Sequence, residues 1–356
     1  MQKGFWGNLD YPIVGLSPMD GVTDAPMRFV AKKYGLADVI YAEFVSAEGL
    51  WRIQRRGEVE HKIWRDLIYD ESERPVIAQL FGSDPDSFFE ATKIICELGF
   101  DGIDINMGCP SPGLEKRGGG AGLIRDQGLA AAVIEATREG VNDYIKTQKI
   151  KNSKNQNIEI PVSLKTRIGS AKPDESWWKF LASQELPAVA MHGRTFKQLY
   201  SGEADWEILL KAGEIIRESG AKFLANGDIK ELKNSKTQEL KTGKVNFEVV
   251  LKDGKEVDLE GKVDGVLIGR EAIGNPWILR KDGYTPSLQE KLNVAAEHAT
   301  RYESTFPNMK FFPMRKHLVG YTKGFDGSSG LRKKLVTADS ANDVEMWTGE
   351  FLKEHQ

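Results

Sequence analysis

Eight short apolar runs recur along the first 280 residues, at 13–16, 39–42, 76–80, 102–105, 162–164, 188–191, 223–225 and 266–268. Each is of strand length, and the amphipathic segments between them are long enough for a helix. That alternation is the βα pattern of a parallel sheet. Eight units of this kind close into a TIM (β/α)8 barrel, whereas a doubly wound sheet usually stops nearer to about six strands. The expected class is therefore α/β, a TIM barrel.

The residues at the carboxyl end of each run narrow the possibilities further. Pro18, Met19 and Asp20 come after the first, Glu43 after the second, and Gln79 closes the third. Asn106 and Cys109 come after the fourth, Lys165 and Arg167 after the fifth, and His192 and Arg194 after the sixth. Asn226, Gly227 and Asp228 come after the seventh, and Gly269 and Arg270 after the eighth. Any one of these is also an ordinary helix cap or loop polar group. Their recurrence at the carboxyl end of every unit matches the catalytic face of this fold.

The stretch DGIDINMGCPSPGLEKRGGGAGL (101–123) carries a cysteine at the end of a strand. Cysteine is often a small buried hydrophobe. Cys109, however, stands between Gly108 and Pro110 with no apolar run around it, which favours a working thiol. Asn226-Gly227-Asp228 and Gly269-Arg270 occupy the two loops that bind a phosphate in many such barrels, with Arg270 as a planar clamp. Lys165 suits a cation beside an electron-accepting ring, and the Gln79 amide suits the edge of a pyrimidine. A phosphate site, a lysine and an amide together describe a flavin mononucleotide (FMN) pocket. The GGGAG run at 118–122 has the wrong spacing for a Rossmann fingerprint. There is no GxSxG elbow and no cluster with metal-ligand spacing, so neither a serine hydrolase nor a metal site is expected.

Composition limits the partners. A formal net charge of −3 over 356 residues places any nucleic-acid surface in a local patch. Two cysteines, Cys96 and Cys109, provide no disulfide framework and suit a reducing compartment. No apolar run reaches bilayer-spanning length and MQKGFWGNLDYP has no leader-type apolar core, so a cytoplasmic, membrane-free protein is expected, monomeric by default.

Two segments interrupt the barrel pattern. The lysine- and asparagine-rich stretch at 144–160 reads as a solvated loop. Residues 230–262 contain Asp253-Gly254 between alternating runs, the signature of a β-hairpin insertion. Beyond a barrel at 1–283, the residues from 287 to 356 read as a small all-helical domain with breaks at 306–307 and 324–330. Basic residues there, from Lys310 to Lys334, interleave with Phe311, Phe312, Tyr321 and Phe325. That pattern fits a nucleic-acid surface, and equally a solvated helix face over an aromatic core.

At these residues the chain resembles the tRNA-dihydrouridine synthases. SPMDGVTDAPMR (17–28), AQLFGSDP (78–85), DGIDINMGCPSP (101–112), SLKTRIG (163–169), MHGRTFKQLYSGEADW (191–206), ANGDI (225–229) and DGVLIGREAIGNPWI (264–278) carry the resemblance in order along the barrel. RKHLVGYTKGF (315–325) is similar to the start of the family's tRNA-binding helical domain. The resemblance implies reduction of the C5–C6 double bond of uridine in tRNA, with FMN as cofactor and NADPH as reductant. Cys109 would be the general acid to C5, with hydride passing from flavin N5 to C6. Pro18, Met19, Asp20, Gln79, Lys165, His192, Asn226, Gly227, Asp228, Gly269 and Arg270 would contact FMN. Asn106, Arg167 and Arg194 would bind the substrate. The nearest alternative is an FMN barrel that reduces a free pyrimidine, and a catalytically silent RNA-binding scaffold is the other.

Overall fold

In the structure, a computed structural model that describes residues 3–151, 159–234 and 247–355, every expected run becomes a strand. In chain order these are β1 (Ile13–Leu16), β2 (Val39–Ser46), β3 (Val76–Phe81), β4 (Gly102–Met107), β5 (Val162–Arg167), β6 (Ala188–His192) and β7 (Lys222–Asn226). Three insertion strands come next, β8 (Ile229–Asn234), β9 (Phe247–Leu251) and β10 (Glu256–Asp258), before the last barrel strand, β11 (Gly265–Ile268). The barrel closes in the order β1-β11-β7-β6-β5-β4-β3-β2, every pairing parallel. This is the expected TIM barrel.

Burial on both faces explains the continuous apolar runs. Ile13, Val39, Tyr41, Ile77, Ala190, Leu224 and Leu267 fill the barrel interior together with Trp6. The opposite faces of the strands pack under the helices as a second, larger core. Acids close to the amino ends of three strands close that rim. Asp38 accepts from the Val14 N–H at 2.7 Å, Asp101 from Val76 at 2.8 Å and Asp264 from Phe223 at 3.0 Å. With that end closed by apolar packing and backbone bonds, the carboxyl ends are left open for a site.

The insertion holds the expected hairpin and one strand more. Gly254, at φ +86°, makes the β9–β10 turn where a left-handed residue is needed, and β8 adds to β9 as a third antiparallel strand. The lysine-rich stretch is not all loop, since 144–151 are the last two turns of the helix Gln127–Lys151; residues 152–158 after it, and 235–246 of the insertion, lie outside the described residues.

Helices Leu288–Thr305, Arg315–Tyr321, Ser328–Leu335 and Ala341–Glu354 come after the barrel. The first rests on the barrel helix Ala25–Lys33, fastened by Lys33–Glu297 (2.6 Å) and Arg301–Asp70 (2.5 Å). The interleaved basic and aromatic residues separate here. Phe311 and Tyr321 are core, whereas Phe312 is exposed. Arg315 donates to the Ala338 and Thr337 carbonyls, and Arg332 donates to Thr322. Much of the pattern is therefore internal stitching. Among the described residues no helix is long and apolar enough to cross a membrane.

Candidate active site

The carboxyl ends of the barrel strands surround a cavity of about 510 Å³, within the ~300–1,000 Å³ range of small-molecule sites. The site candidates named from the sequence line it except Arg194, and so do the other strand-end residues except Glu43, which is buried outside it.

One wall is a hydrogen-bonded relay that begins at buried Asp104 on β4. Ser163 donates to Asp104 Oδ1 at 2.6 Å and Gln79 Nε2 donates to Oδ2 at 2.7 Å. Because a carboxylate only accepts, it orients the Gln79 amide. Gln79 Oε1 in turn accepts from Asn106 Nδ2 at 2.8 Å. That leaves Asn106 Oδ1 to accept from the N–H groups of Gly108 and Cys109, at 3.0 and 2.8 Å. The loop bearing the thiol is thus held from beneath. Burial pushes the Asp104 carboxyl up to about 6.

Cys109 lines the cavity and is only partly buried. Burial raises its pKa, opposed by the Ser111 backbone bond and by Arg167 and Lys165, so the thiol stays protonated near neutrality. Arg167 donates to the carbonyls of Gly108, Thr195 and Leu199 at 2.8–3.0 Å. Burial brings its pKa down to about 10. Burial also lowers Lys165, helped by Arg167, to about 8, and its one hydrogen bond among the described residues is a long one of 3.4 Å to Asn226 Oδ1. His192 is held well below its usual value by burial and by Arg167, Lys165, Arg194 and Arg270. It is therefore a neutral imidazole among cations, able to donate and accept.

The far corner is built around Asp228. Burial opposes its charge, but Arg194 donates to it bidentately, at 3.0 and 2.6 Å, and keeps its carboxyl below the ordinary range. Ala204 N–H and Arg270 donate to the same carboxylate, at 2.8 and 3.2 Å. Arg194 also donates to the Ser201 and Gly202 carbonyls and is 3% exposed. It stands behind the wall and holds Asp228, which in turn aims Arg270. Gly227 (φ +135°) lies so close to Ala204 that a Cβ would come within 2.7 Å of it. The N–H groups of Gly227 and Gly269 have no backbone acceptor among the described residues, and Arg270 stands beside them about half exposed. Free N–H groups beside a guanidinium are the chemistry of an anion cradle.

Three contributors are not evident from the sequence. Tyr200 stands exposed at the mouth with Arg167 and Arg270 5.9 and 5.5 Å from its ring. It lies eight residues past the end of β6, where only an aromatic in a βα loop hints at it. Asp104 resembles any other strand residue. Lys252 comes from the insertion, whose backbone joins the cradle through Lys252 N–H donating to the Asp228 carbonyl at 3.0 Å.

The comparisons with known proteins agree with this geometry. The dihydrouridine synthase (Dus) family matches residues 15–355. A "Probable tRNA-dihydrouridine synthase" of Staphylococcus aureus (strain MRSA252) is 29% identical over 358 residues, covering 99% of this chain and 96% of the relative. "Probable tRNA-dihydrouridine synthase 2" of Bacillus subtilis (strain 168) is 28% identical over 361 residues, covering 100% and 98%. Among solved structures, morphinone reductase superposes with a TM-score of 0.42 at 14% identity, over 78% of this chain and 87% of that one, too loosely to carry an argument. With its barrel, its strand-end cavity and a family match spanning nearly all its length, the chain belongs to the dihydrouridine synthase family.

Proposed function

We propose that this protein reduces the C5–C6 double bond of uridine in tRNA, with FMN bound in the cavity and NADPH as the reductant. The observation that carries the reading is that one cavity is lined by Cys109, Lys165, neutral His192 and Arg270 together. The residues fit FMN on physical grounds. The cavity is of the right order of size, and N–H groups with no backbone acceptor among the described residues stand with a guanidinium where a phosphate would sit. Gly227, Gly269 and Arg270 would hold the phosphate. Lys165, His192 and Gln79 would line the ring, with Pro18, Met19 and Asp20 along the edge.

Reduced flavin, when bound, supplies the hydride that goes to uracil C6. The chain supplies the rest. Cys109 carries the proton for C5, so hydride and proton together saturate the double bond and leave a thiolate that recovers its proton from solvent. Arg167 and Lys165 favour that thiolate while it lasts. The Asn106 amide keeps the thiol loop in register. Tyr200 offers a face against which a base can stack at the mouth. A uridine must leave its stack to reach this depth, at a cost of a few kcal/mol. Contacts with the rest of the tRNA would offset that cost, and the exposed cations of the helical segment, Lys323 and Lys333, are candidates for them.

The test is direct. Flavin-loaded protein, NADPH and an unmodified tRNA transcript should give dihydrouridine by mass spectrometry of the digested RNA. Equal turnover of free uracil, with none of tRNA, would favour the free-pyrimidine reading instead.

A further inference from the structure

Three side chains meet where the helical segment lands on the barrel. His298 lies on the Leu288–Thr305 helix, His317 on the Arg315–Tyr321 helix, and Asp24 caps the barrel helix Ala25–Lys33. One ligating atom from each lies within 4.8 Å of the other two. Both histidines are 0% exposed, and their rings stand 4.8 Å apart. Among the described residues, His298 Nε2 and both ring nitrogens of His317 have no hydrogen-bond partner. Buried polar groups left in that state are destabilising, so a missing partner is the economical explanation.

The hydrogen bonding narrows what kind of partner is missing. His298 Nδ1 lies 3.1 Å from the Tyr321 hydroxyl. If that nitrogen donates to the tyrosine oxygen, His298 Nε2 carries a lone pair. A neutral His317 presents a second lone pair, and the Asp24 carboxylate accepts only. Lone pairs from three different elements thus converge on one spot. We propose that Asp24, His298 and His317 bind a divalent transition-metal ion, zinc by ligand type, that fastens the helical segment to the barrel.

Two imidazoles and a carboxylate are a usual zinc set, with a water in the fourth position of the tetrahedron. Tyr321 supplies the outer hydrogen bond that orients a ligating histidine. Asp24 is less deeply buried than the two histidines. Hundreds of residues separate Asp24 from the two histidines, which is why no local spacing in the sequence betrays the set. Asp24 also connects the ion to the cavity, since neighbouring Thr23 and the Met19 backbone share hydrogen bonds of 3.0 and 3.2 Å. The ion takes no part in the proposed reaction.

The experiment uses the full chain, grown in zinc-supplemented medium and freed of loose metal by gel filtration. About one zinc per chain is expected by elemental mass spectrometry, with visible d–d bands when cobalt replaces it. Tyr321→Phe keeps all three ligands and lowers zinc affinity about 10–100-fold, as loss of an outer-shell bond does. His317→Gln should abolish binding. A chelator should lower the melting temperature of the wild type and zinc should restore it, with His317→Gln indifferent to both. If His317→Gln fails to fold, the wild-type zinc content and cobalt spectrum decide alone. Wild type that carries no zinc, shows no cobalt bands and does not shift on adding zinc would overturn the proposal. So would zinc retained at full affinity in both Tyr321→Phe and His317→Gln.

Discussion

Asn106 grips the Cys109 loop from below, its amide oxygen accepting the Cys109 N–H at 2.8 Å while its amide nitrogen donates to Gln79 at 2.8 Å. Both ends of one small amide are committed, so its orientation is not free. Asn106→Ala strands two backbone N–H groups and one Gln79 oxygen. A loss of about 1–3 kcal/mol is expected in denaturant unfolding. Turnover should fall roughly 10²-fold as the thiol drifts. Asn106→Asp keeps the acceptor for Cys109 and should retain more activity than the alanine variant.

Arg194 and Arg270 both contact Asp228, yet they predict opposite phenotypes. Arg194 is buried, so Arg194→Leu takes the bidentate partner from Asp228, leaving it the longer Arg270 contact and the Ala204 N–H, and should cost about 3 kcal/mol of stability, the low end for breaking a buried pair. Arg270 is about half exposed, so Arg270→Leu should leave stability within about 0.5 kcal/mol. It should instead weaken FMN binding by about tenfold or more, one lost charged hydrogen bond being worth ~1.5–3 kcal/mol. Unfolding curves and flavin titration together separate the two.

Glu43 offers a test away from the cavity. The register shift in β2 between Tyr41 and Phe44 brings Phe44 to the cavity and leaves Glu43 buried outside it, with Oε1 unpartnered among the described residues. Burial, with Asp66 and Asp24 adding to it, raises the Glu43 pKa from 4.5 to about 7. A raised acid favours the folded state most below its unfolded value, and that advantage is lost as pH climbs through the folded one. Glu43→Gln should therefore match wild type near pH 4 and become more stable by about 1–3 kcal/mol above pH 7. A constant difference across pH 4–8 would contradict the assignment.

Lys165 sets an alkaline limit. Burial brings it down to about 8, so it sheds its charge as pH rises through that value. Single-turnover reduction of tRNA should decline above about pH 8 in wild type. Lys165→Arg, which stays charged, should move that decline upward even if its overall rate is lower.

The barrel is legible in the sequence because a strand buried on both faces must be apolar throughout, and the eight runs could be little else. Their ends are less so. β2 runs on to Ser46 through charged Glu43, because a bulge lets the strand continue while the side chains change faces. β8 is rich in charge (IKELKN), and only its pairing with β9 makes it a strand. In the site, residue types at strand ends foretell which side chains share the cavity, since that face is common to all strands. They do not foretell which partners each side chain takes. Arg194 is the instructive case, for a strand-end arginine reads the same whether it meets a substrate or a buried carboxylate. The helical segment hides most, because Arg315 and Arg332 bind carbonyls of their own segment. For the same reason deletion beyond Trp277 is a poor probe of RNA binding. It would take away the core of Leu292, Tyr302 and Tyr321, and so uncover the barrel helix Ala25–Lys33 on which that core rests, as well as remove cations.

The most direct test of the account is the rate at which tRNA reoxidises the reduced, flavin-loaded protein, in wild type and in Cys109→Ala, with dihydrouridine counted in the same samples. Flavin content and reduction by NADPH should be equal in the two. The tRNA-dependent step should be slower by about 10²–10⁴-fold in the alanine variant, the usual worth of a positioned proton donor. Dihydrouridine formed by Cys109→Ala at the wild-type rate would contradict it.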